Sequence, residues 1–187
     1  MRLKYYDYAQ QGAYFVTVCV NDRKCVFGDV LNDNMVLNDA GKMVDKWWRE
    51  LSKKYNVVLI DEHKIMPNHL HGIIVIVDQC NVGADLCVRP VNGNNGYANN
   101  NNMEIVKGRT RRCAPTPMIG TIVQWFKTMS TNEYIRNVKT NNWPPFIIRL
   151  WQRNYYEHVI RDESDLVRIR EYIVNNPVHW ERDEYYA

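Results

Sequence analysis

The stretch Met66 to Val77, MPNHLHGIIVIV, constrains the fold more than any other part of the chain. Pro67 and Asn68 close a turn, and Leu70 to Val77 is an apolar, β-branched run, so the chain leaves the turn directly into a strand buried in a sheet. His69 and His71 stand at the mouth of that strand. Strand side chains alternate between faces, so both imidazoles project the same way while Leu70 packs behind them. Such a pair can close on one divalent ion. Two hydrogen-bonded or half-exposed histidines with no ligand is the competing reading at this point.

The 187 residues suffice for one domain with a proper core, which is the organisation expected for residues 1–187. The start, MRLKYYDY, lacks an apolar core of signal-peptide length, and no apolar run approaches the roughly 18 residues of a membrane span, so the chain reads as cytoplasmic. Five cysteines without a CxxC pair argue against a disulfide framework and a zinc knuckle. Net charge is only +3, but from Lys107 to Arg170 twelve Lys or Arg face five Asp or Glu. That basic excess, mixed with aromatic residues, has the ingredients of a single-strand nucleic-acid surface; a solvated face with no polyanion is the alternative.

Along the chain, Tyr14 to Val20 (YFVTVCV) reads as a strand, and Cys25 to Leu37 as an edge hairpin around Asn32, Asp33 and Asn34. Asn38 or Asp39 caps a helix to about Lys54, with Met43, Val44, Trp47 and Leu51 at helical spacing. Val57 to Ile65 then pairs antiparallel with the histidine strand. From about 79 to 116 the pattern dissolves into an asparagine-rich stretch, NGNNGYANNNN, expected to be a flexible loop, followed by the basic tract KGRTRR.

A second helix is predicted from Met118 to about Val138, with Ile119, Ile122, Val123, Phe126, Met129 and Ile135 inward and Gln124 and Lys127 outward. Phe146 to Leu150 and Tyr155 to Ile160 suggest a last, interrupted strand. Asp162 to Asn176 forms a third helix that Pro177 stops, burying Leu166, Ile169 and Ile173 beside a polar stripe of Asp165, Arg168, Tyr172 and Asn176. The order strand, helix, strand, strand, helix, strand, helix predicts an α+β fold. It is a ferredoxin-like antiparallel sheet with helices on one face, the histidine strand near its centre, and an added C-terminal helix carrying Tyr172.

A divalent ion on two imidazoles keeps open positions for a third ligand and for a substrate oxygen. With a phosphodiester there, the ion acts as a Lewis acid, and a tyrosine is a suitable nucleophile because a phenolate both attacks and leaves. Twelve tyrosines leave that choice open on spacing alone. Lys107, Arg109, Arg111, Arg112, Lys127, Arg153 and Arg161 are candidate phosphate contacts.

The His69-Leu70-His71 triplet has the histidine, hydrophobic residue, histidine form of the HUH signature. Set in MPNHLHGIIVI, with WQRNYYEHVIRDE from Trp151 and REYIVNNPVHW from Arg170, it resembles the REP-associated tyrosine transposases, a branch of the HUH single-strand transposases of bacterial insertion sequences. The resemblance runs from YFVTVCV to NNPVHW. It implies His69 and His71 as metal ligands, Tyr172 in YIVNNP as the nucleophile, and Asn176 as a residue that can complete coordination, with a helix-end cap as the other role open to Asn176. It further implies Mg²⁺ or Mn²⁺, single-stranded or hairpin DNA as partner, a 5′-phosphotyrosine intermediate, and a monomer or a homodimer.

His158 stands near such a site, either supporting its ligands from behind or as a hydrogen-bonded structural residue, and Tyr155 and Tyr156 are reserve nucleophiles. Two other functions stay in view. One is a histidine-triad-type nucleotide hydrolase or transferase, although its HxHxH strand would need a histidine where Ile73 stands. The other is a domesticated DNA-binding regulatory module without turnover.

Overall fold

In the computed structural model, described over residues 11–77 and 117–186, four strands form one antiparallel sheet: β1 (Gly12–Cys19), β4 (Val58–Ile65), β5 (His69–Ile76) and β6 (Tyr156–Ile160). Their spatial order is β4-β5-β1-β6, so the histidine strand lies inside the sheet, bonded to β4 on one side and β1 on the other. Helices α1 (Asp39–Lys54) and α2 (Ile119–Thr140) connect the strands, and α3 (Glu163–Asn175) follows β6. This is the ferredoxin-like α+β arrangement with an added C-terminal helix. Among the described residues, no helix is long and apolar enough to cross a membrane.

The two faces of the sheet do different jobs, and strand alternation assigns them. On one face Tyr14, Val16 and Val18 of β1, Leu70, Ile74 and Ile76 of β5 and Val159 of β6 join Val44, Trp48, Leu51, Ile122, Val123 and Phe126 in the main core. On the other, Phe15, Ile73 and Ile160 pack with Ile169 and Ile173 of α3 in a smaller cluster. His69 and His71 belong to this second face, so of the three α-helices it is α3, and not α1 or α2, that can bring a side chain to them. Asp162 caps α3 by accepting from Asp165 N–H at 2.8 Å, and Arg170 ties it to β4 through Asp61 (Nε to Oδ1 3.2 Å).

Local chemistry explains where the chain departs from its periodic pattern. Helix α1 is capped by Asn38, whose Oδ1 accepts from Gly41 N–H at 2.9 Å. Trp48, not Trp47, is the indole it buries completely. Positions 40, 44, 48 and 51 share the inner stripe, whereas Trp47 sits at its margin and donates Nε1–H to Glu133 at 2.7 Å. The expected edge hairpin is a separate two-stranded sheet, β2 (Gly28–Leu31) with β3 (Asn34–Leu37). Its Asn32 and Asp33 both have positive φ, 50° and 60°, as a two-residue hairpin turn requires.

Three corrections concern α2 and the segment between it and β6. Phe146 to Leu150 is not a strand: Pro144 and Pro145 precede it, and only Trp151 forms a bridge, to Val20. Lys127 is not on the solvent side of α2 but buried. Its Nζ donates to the carbonyls of Gln152 (3.0 Å), Arg153 (3.4 Å) and Asn154 (3.1 Å). Irregular backbone under a helix leaves carbonyls that need donors, and an ammonium supplies three N–H groups at once. Burial pushes that ammonium down to about 8. Ile135, expected inward, is 38 % exposed instead. The asparagine-rich stretch and the basic tract with Lys107, Arg109, Arg111 and Arg112 lie outside the described residues.

Candidate metal and nucleophile site

Cys19 faces His69 and Thr17 faces His71 across the β1 to β5 ladder, which places the two imidazoles at the end of the sheet where β5 begins. Both are fully buried, and Nε2 of His69 lies 2.9 Å from Nε2 of His71. The hydrogen bonds around them set the tautomers. Asn68 gives its amide N–H groups to the carbonyls of Arg23 (3.0 Å) and Tyr185 (2.7 Å), so its Oδ1 is left to accept from Nδ1–H of His69 at 2.8 Å. Nε2 of His69 therefore carries a lone pair.

Given that lone pair, Nε2–H of His71 donates to it, and the Thr17 hydroxyl donates to Nδ1 of His71 at 2.8 Å. A hydroxyl can also accept. With that rotor turned, the tautomer that carries the His71 proton on Nδ1 is satisfied as well, and both Nε2 atoms, 2.9 Å apart, are then free of protons. Metal-ligating histidines are held through the opposite ring nitrogen in this way.

The sequence reading missed the third member of the cluster. Beyond α3 the chain continues as a 3₁₀ segment, Asn176–Arg182, and turns back, so that Asp183 joins His69 and His71 with ligand atoms all within 4.8 Å of one another. Its Oδ1 accepts from Tyr185 N–H at 2.7 Å, and its Oδ2 from the Asn176 amide at 2.7 Å. Asn176 is thus buried and holds the carboxylate, while its own Oδ1 has no hydrogen-bond partner among the described residues. No spacing rule links Asp183 to a histidine pair more than a hundred residues upstream; only the fold-back of the tail does.

Tyr172 comes from the opposite side. Ile169 and Ile173 bury α3 against Phe15 and Ile73, which turns Tyr172 toward the histidines, its ring 5.1 Å from that of His71 and edge-on to Phe15. Its hydroxyl lies 3.3 Å from Nε2 of His71, all within one chain. Burial, with Asp183 and Glu184 adding to it, pushes the phenol up to about 12. A cavity of about 520 Å³ opens beside it, lined by Thr17, His71, Tyr156, His158, Arg168 and Tyr172 among others. Tyr156 reaches this cavity, but no contact of it with His71 matches that of Tyr172.

The remaining predicted residues fall in different places. His158 faces the cavity yet pairs with Asp165 (2.7 Å) in the first turn of α3, so it steadies that turn and does not touch the histidine pair. Arg153 is exposed at the histidine end of the sheet, since Gln152 N–H bonds the Cys19 carbonyl. Arg161 is exposed at the other end, because Ile160 pairs with Ala13. Ile73 is completely buried against α3, which removes the third histidine of the triad alternative and fills its place with hydrocarbon.

The donor set suits a divalent cation. Two ligand nitrogens about 2.1 Å from an ion and roughly at right angles stand about 3.0 Å apart, close to the observed Nε2 separation. The adjacent carboxylate supplies negative charge. Imidazole nitrogens favour a first-row metal such as Mn²⁺ over Mg²⁺, which prefers oxygen.

Burial holds His69 down to about 4 and His71 well below its ordinary value, the latter with help from the neighbouring imidazole. Because the unfolded chain then binds protons that the folded one refuses, stability in chelator-containing buffer is expected to fall as pH drops from about 6.5 toward 4. Thermal melts across that window check this, and a His69→Asn/His71→Asn variant should show a flatter profile.

No protein-family model matches the chain. A solved structure of a REP-associated tyrosine transposase bound to a REP hairpin shares the fold, with TM-score 0.54 at 16 % identity, covering 95 % of this chain and 73 % of that one. A protein of Haemophilus influenzae (strain ATCC 51907 / DSM 11121 / KW20 / Rd), known only as uncharacterized, is 38 % identical over 187 residues, all of this chain and 92 % of the relative. The chain belongs to the same family as that protein.

Proposed function

We propose that the protein is a metal-dependent endonuclease and strand transferase of the HUH transposase kind, acting on single-stranded or hairpin DNA. The observation that supports this best is the convergence, in one chain, of the Tyr172 hydroxyl on an imidazole pair whose Nε2 atoms are spaced for one cation, beside an open cavity. The shared fold with a transposase seen on a DNA hairpin agrees with it.

His69, His71 and Asp183 would hold Mg²⁺ or Mn²⁺, with Asn176 positioning the carboxylate. When bound, that cation supplies Lewis-acid charge that favours the phenolate and polarises a phosphate oxygen. Tyr172 Oη attacks the scissile phosphorus, and its proton passes by way of solvent to the departing 3′-oxygen. The bond from phosphorus to the 3′-oxygen breaks, leaving a 5′-phosphotyrosine and a free 3′-hydroxyl. Phe15 packs edge-on against the ring of Tyr172, and the buried Trp180 indole and half-buried Tyr185 phenol lie against His69 and limit the access of water to the cation side.

Of the candidate phosphate contacts among the described residues, Arg153 stands nearest in topology to the site, Arg161 lies at the far end, and Lys127 is committed to backbone carbonyls. Incubation with a 5′-extended hairpin oligonucleotide and Mn²⁺ should yield a covalent adduct that survives denaturation. Tyr172→Phe should yield none. An adduct on the Phe variant would move the nucleophile elsewhere, with Tyr156 first in line. A protein that shifts the DNA in a gel and never cuts it would be a binding module that has lost turnover.

A further inference from the structure

Between Trp143 and Arg153 the chain crosses the end of the sheet as a strap that leaves apolar side chains in water. Ile147 is 65 % and Ile148 83 % exposed, the latter more than any other large hydrophobic residue in the described structure. Ile148 also has φ of +66°, and Arg149 N–H bonds the Ile147 carbonyl at 2.7 Å, closing a three-residue γ-turn of the strained, positive-φ hand. A β-branched residue is the one least suited to that conformation.

The strap is held from behind at four points. Trp151 lies against the rings of Phe27 and Phe126 and donates Nε1–H to Ser130 at 2.9 Å. Asn21 N–H bonds the Leu150 carbonyl at 2.8 Å, Gln152 N–H the Cys19 carbonyl at 2.9 Å, and Lys127 holds three further carbonyls. A strained turn persists only where its surroundings over-determine it, and strain kept with an exposed isoleucine at its apex favours a contact over packing. Next to the apex runs a groove of about 420 Å³ that includes Thr131, Asn132, Ile148, Arg149 and Arg153 in its wall, and among the described residues no Asp or Glu lines it.

We infer that this strap is a second DNA-contacting surface: Arg149 and Arg153 take phosphates of an unpaired strand, and Ile148 lies against or between its bases. Charge selects the occupant, since two guanidinium groups without a carboxylate fit a polyanion, and an aliphatic wedge flanked by cations is a known way of holding unstacked bases. Topology links the surface to the cutting site, because Cys19 is bonded to Gln152 of the strap on one side and paired with His69 on the other. A strand leaving the histidines would pass round the end of β1, from the α3 face of the sheet to the α2 face.

The inference rests on the proposed action on DNA, and the experiment separates the two. A hairpin oligonucleotide carries 2-aminopurine at successive positions of its single-stranded extension, and binding to the full chain is followed with Mn²⁺ present. Wild type should change the fluorescence at one position. Ile148→Gly should lose that change and bind about tenfold more weakly while its Tm rises, because glycine relieves the positive φ. Arg149→Gln/Arg153→Gln should weaken binding to every sequence and lower the slope of log affinity against log salt by about 1.4–1.8. Wild-type binding with an unaltered signal and affinity for Ile148→Gly would overturn the strap as a DNA contact and leave the cutting site intact. Absence of binding by wild type to both hairpin and single strand would overturn the action on DNA and this inference with it.

Discussion

Replacing His71 with alanine is expected to abolish adduct formation, lowering the cleavage rate by at least about 10³-fold and removing measurable Mn²⁺ binding. His71 joins three contacts of the site: Nε2 lies 2.9 Å from His69 and 3.3 Å from the Tyr172 hydroxyl, and Nδ1 meets Thr17 at 2.8 Å. Its loss removes a ligand and empties the floor under the phenol together. Asp183→Ala should also weaken Mn²⁺ severely, because it takes away the only charged member of the cluster. Asn176→Ala, which only frees that carboxylate, should weaken it by about 10- to 100-fold. Titration of Mn²⁺ by calorimetry or paramagnetic resonance ranks the three. If Asn176→Ala proved as damaging as His71→Ala and Asp183→Ala harmless, the third ligand would be the Asn176 amide just beyond α3 and not the carboxylate of Asp183.

Gly72→Ala is expected to destabilise the protein by roughly 2–3 kcal/mol. Gly72 lies between the histidine pair and Ile73, on the core face of β5, and a methyl group there would stand 2.4 Å from Cζ2 of Trp48 and 3.1 Å from Cβ of His63. Trp48 is completely buried and cannot swing away without opening the core between α1 and the sheet. A strand whose central residue is pushed outward also shifts His71, so activity should fall further than the fraction unfolded explains. Trp48→Phe should restore part of the loss in the double variant. It shortens the side chain where the clash occurs and removes an indole N–H that has no partner among the described residues. Urea melts of the single and double variants check both statements. Additive effects of the two changes would show that the glycine is kept for another reason.

Much of this architecture is readable in one dimension because it follows from period and punctuation. The alternation in Tyr14 to Val20, the apolar β-branched run from Leu70 to Val77, the turn at Pro67-Asn68, the caps Asn38 and Asp162, and the stop at Pro177 are local properties of backbone and side chain. The histidine pair was legible for the same reason: two residues apart on a strand is one face. Tyr172 was legible through the resemblance of YIVNNP to a family pattern, since none of its own spacing to the histidines singles it out among twelve tyrosines.

Other features depended on what stands opposite, and periodicity is blind to that. Lys127 reads as solvent-facing, yet the strap beneath α2 offers three unpaired carbonyls that draw the ammonium inward. Phe146 to Leu150 is apolar enough for a strand but is held in a γ-turn by anchors at Trp151 and Leu150. Trp47 and Trp48 differ by one residue in sequence and by about 100° around the helix, and the sheet decides which of them is core.

The chain by itself determined the three α-helices, the four strands of the main sheet, their order, and the side of the histidine strand on which the imidazoles emerge, because each of these is set by neighbours within a few residues. Only the tertiary structure brought Asp183 to the histidines, turned Asn176 into its holder and aimed the Tyr172 hydroxyl at His71. These contacts join segments far apart along the chain, and their formation depends on α3 packing on Phe15 and Ile73 and on the tail folding back over the end of the sheet.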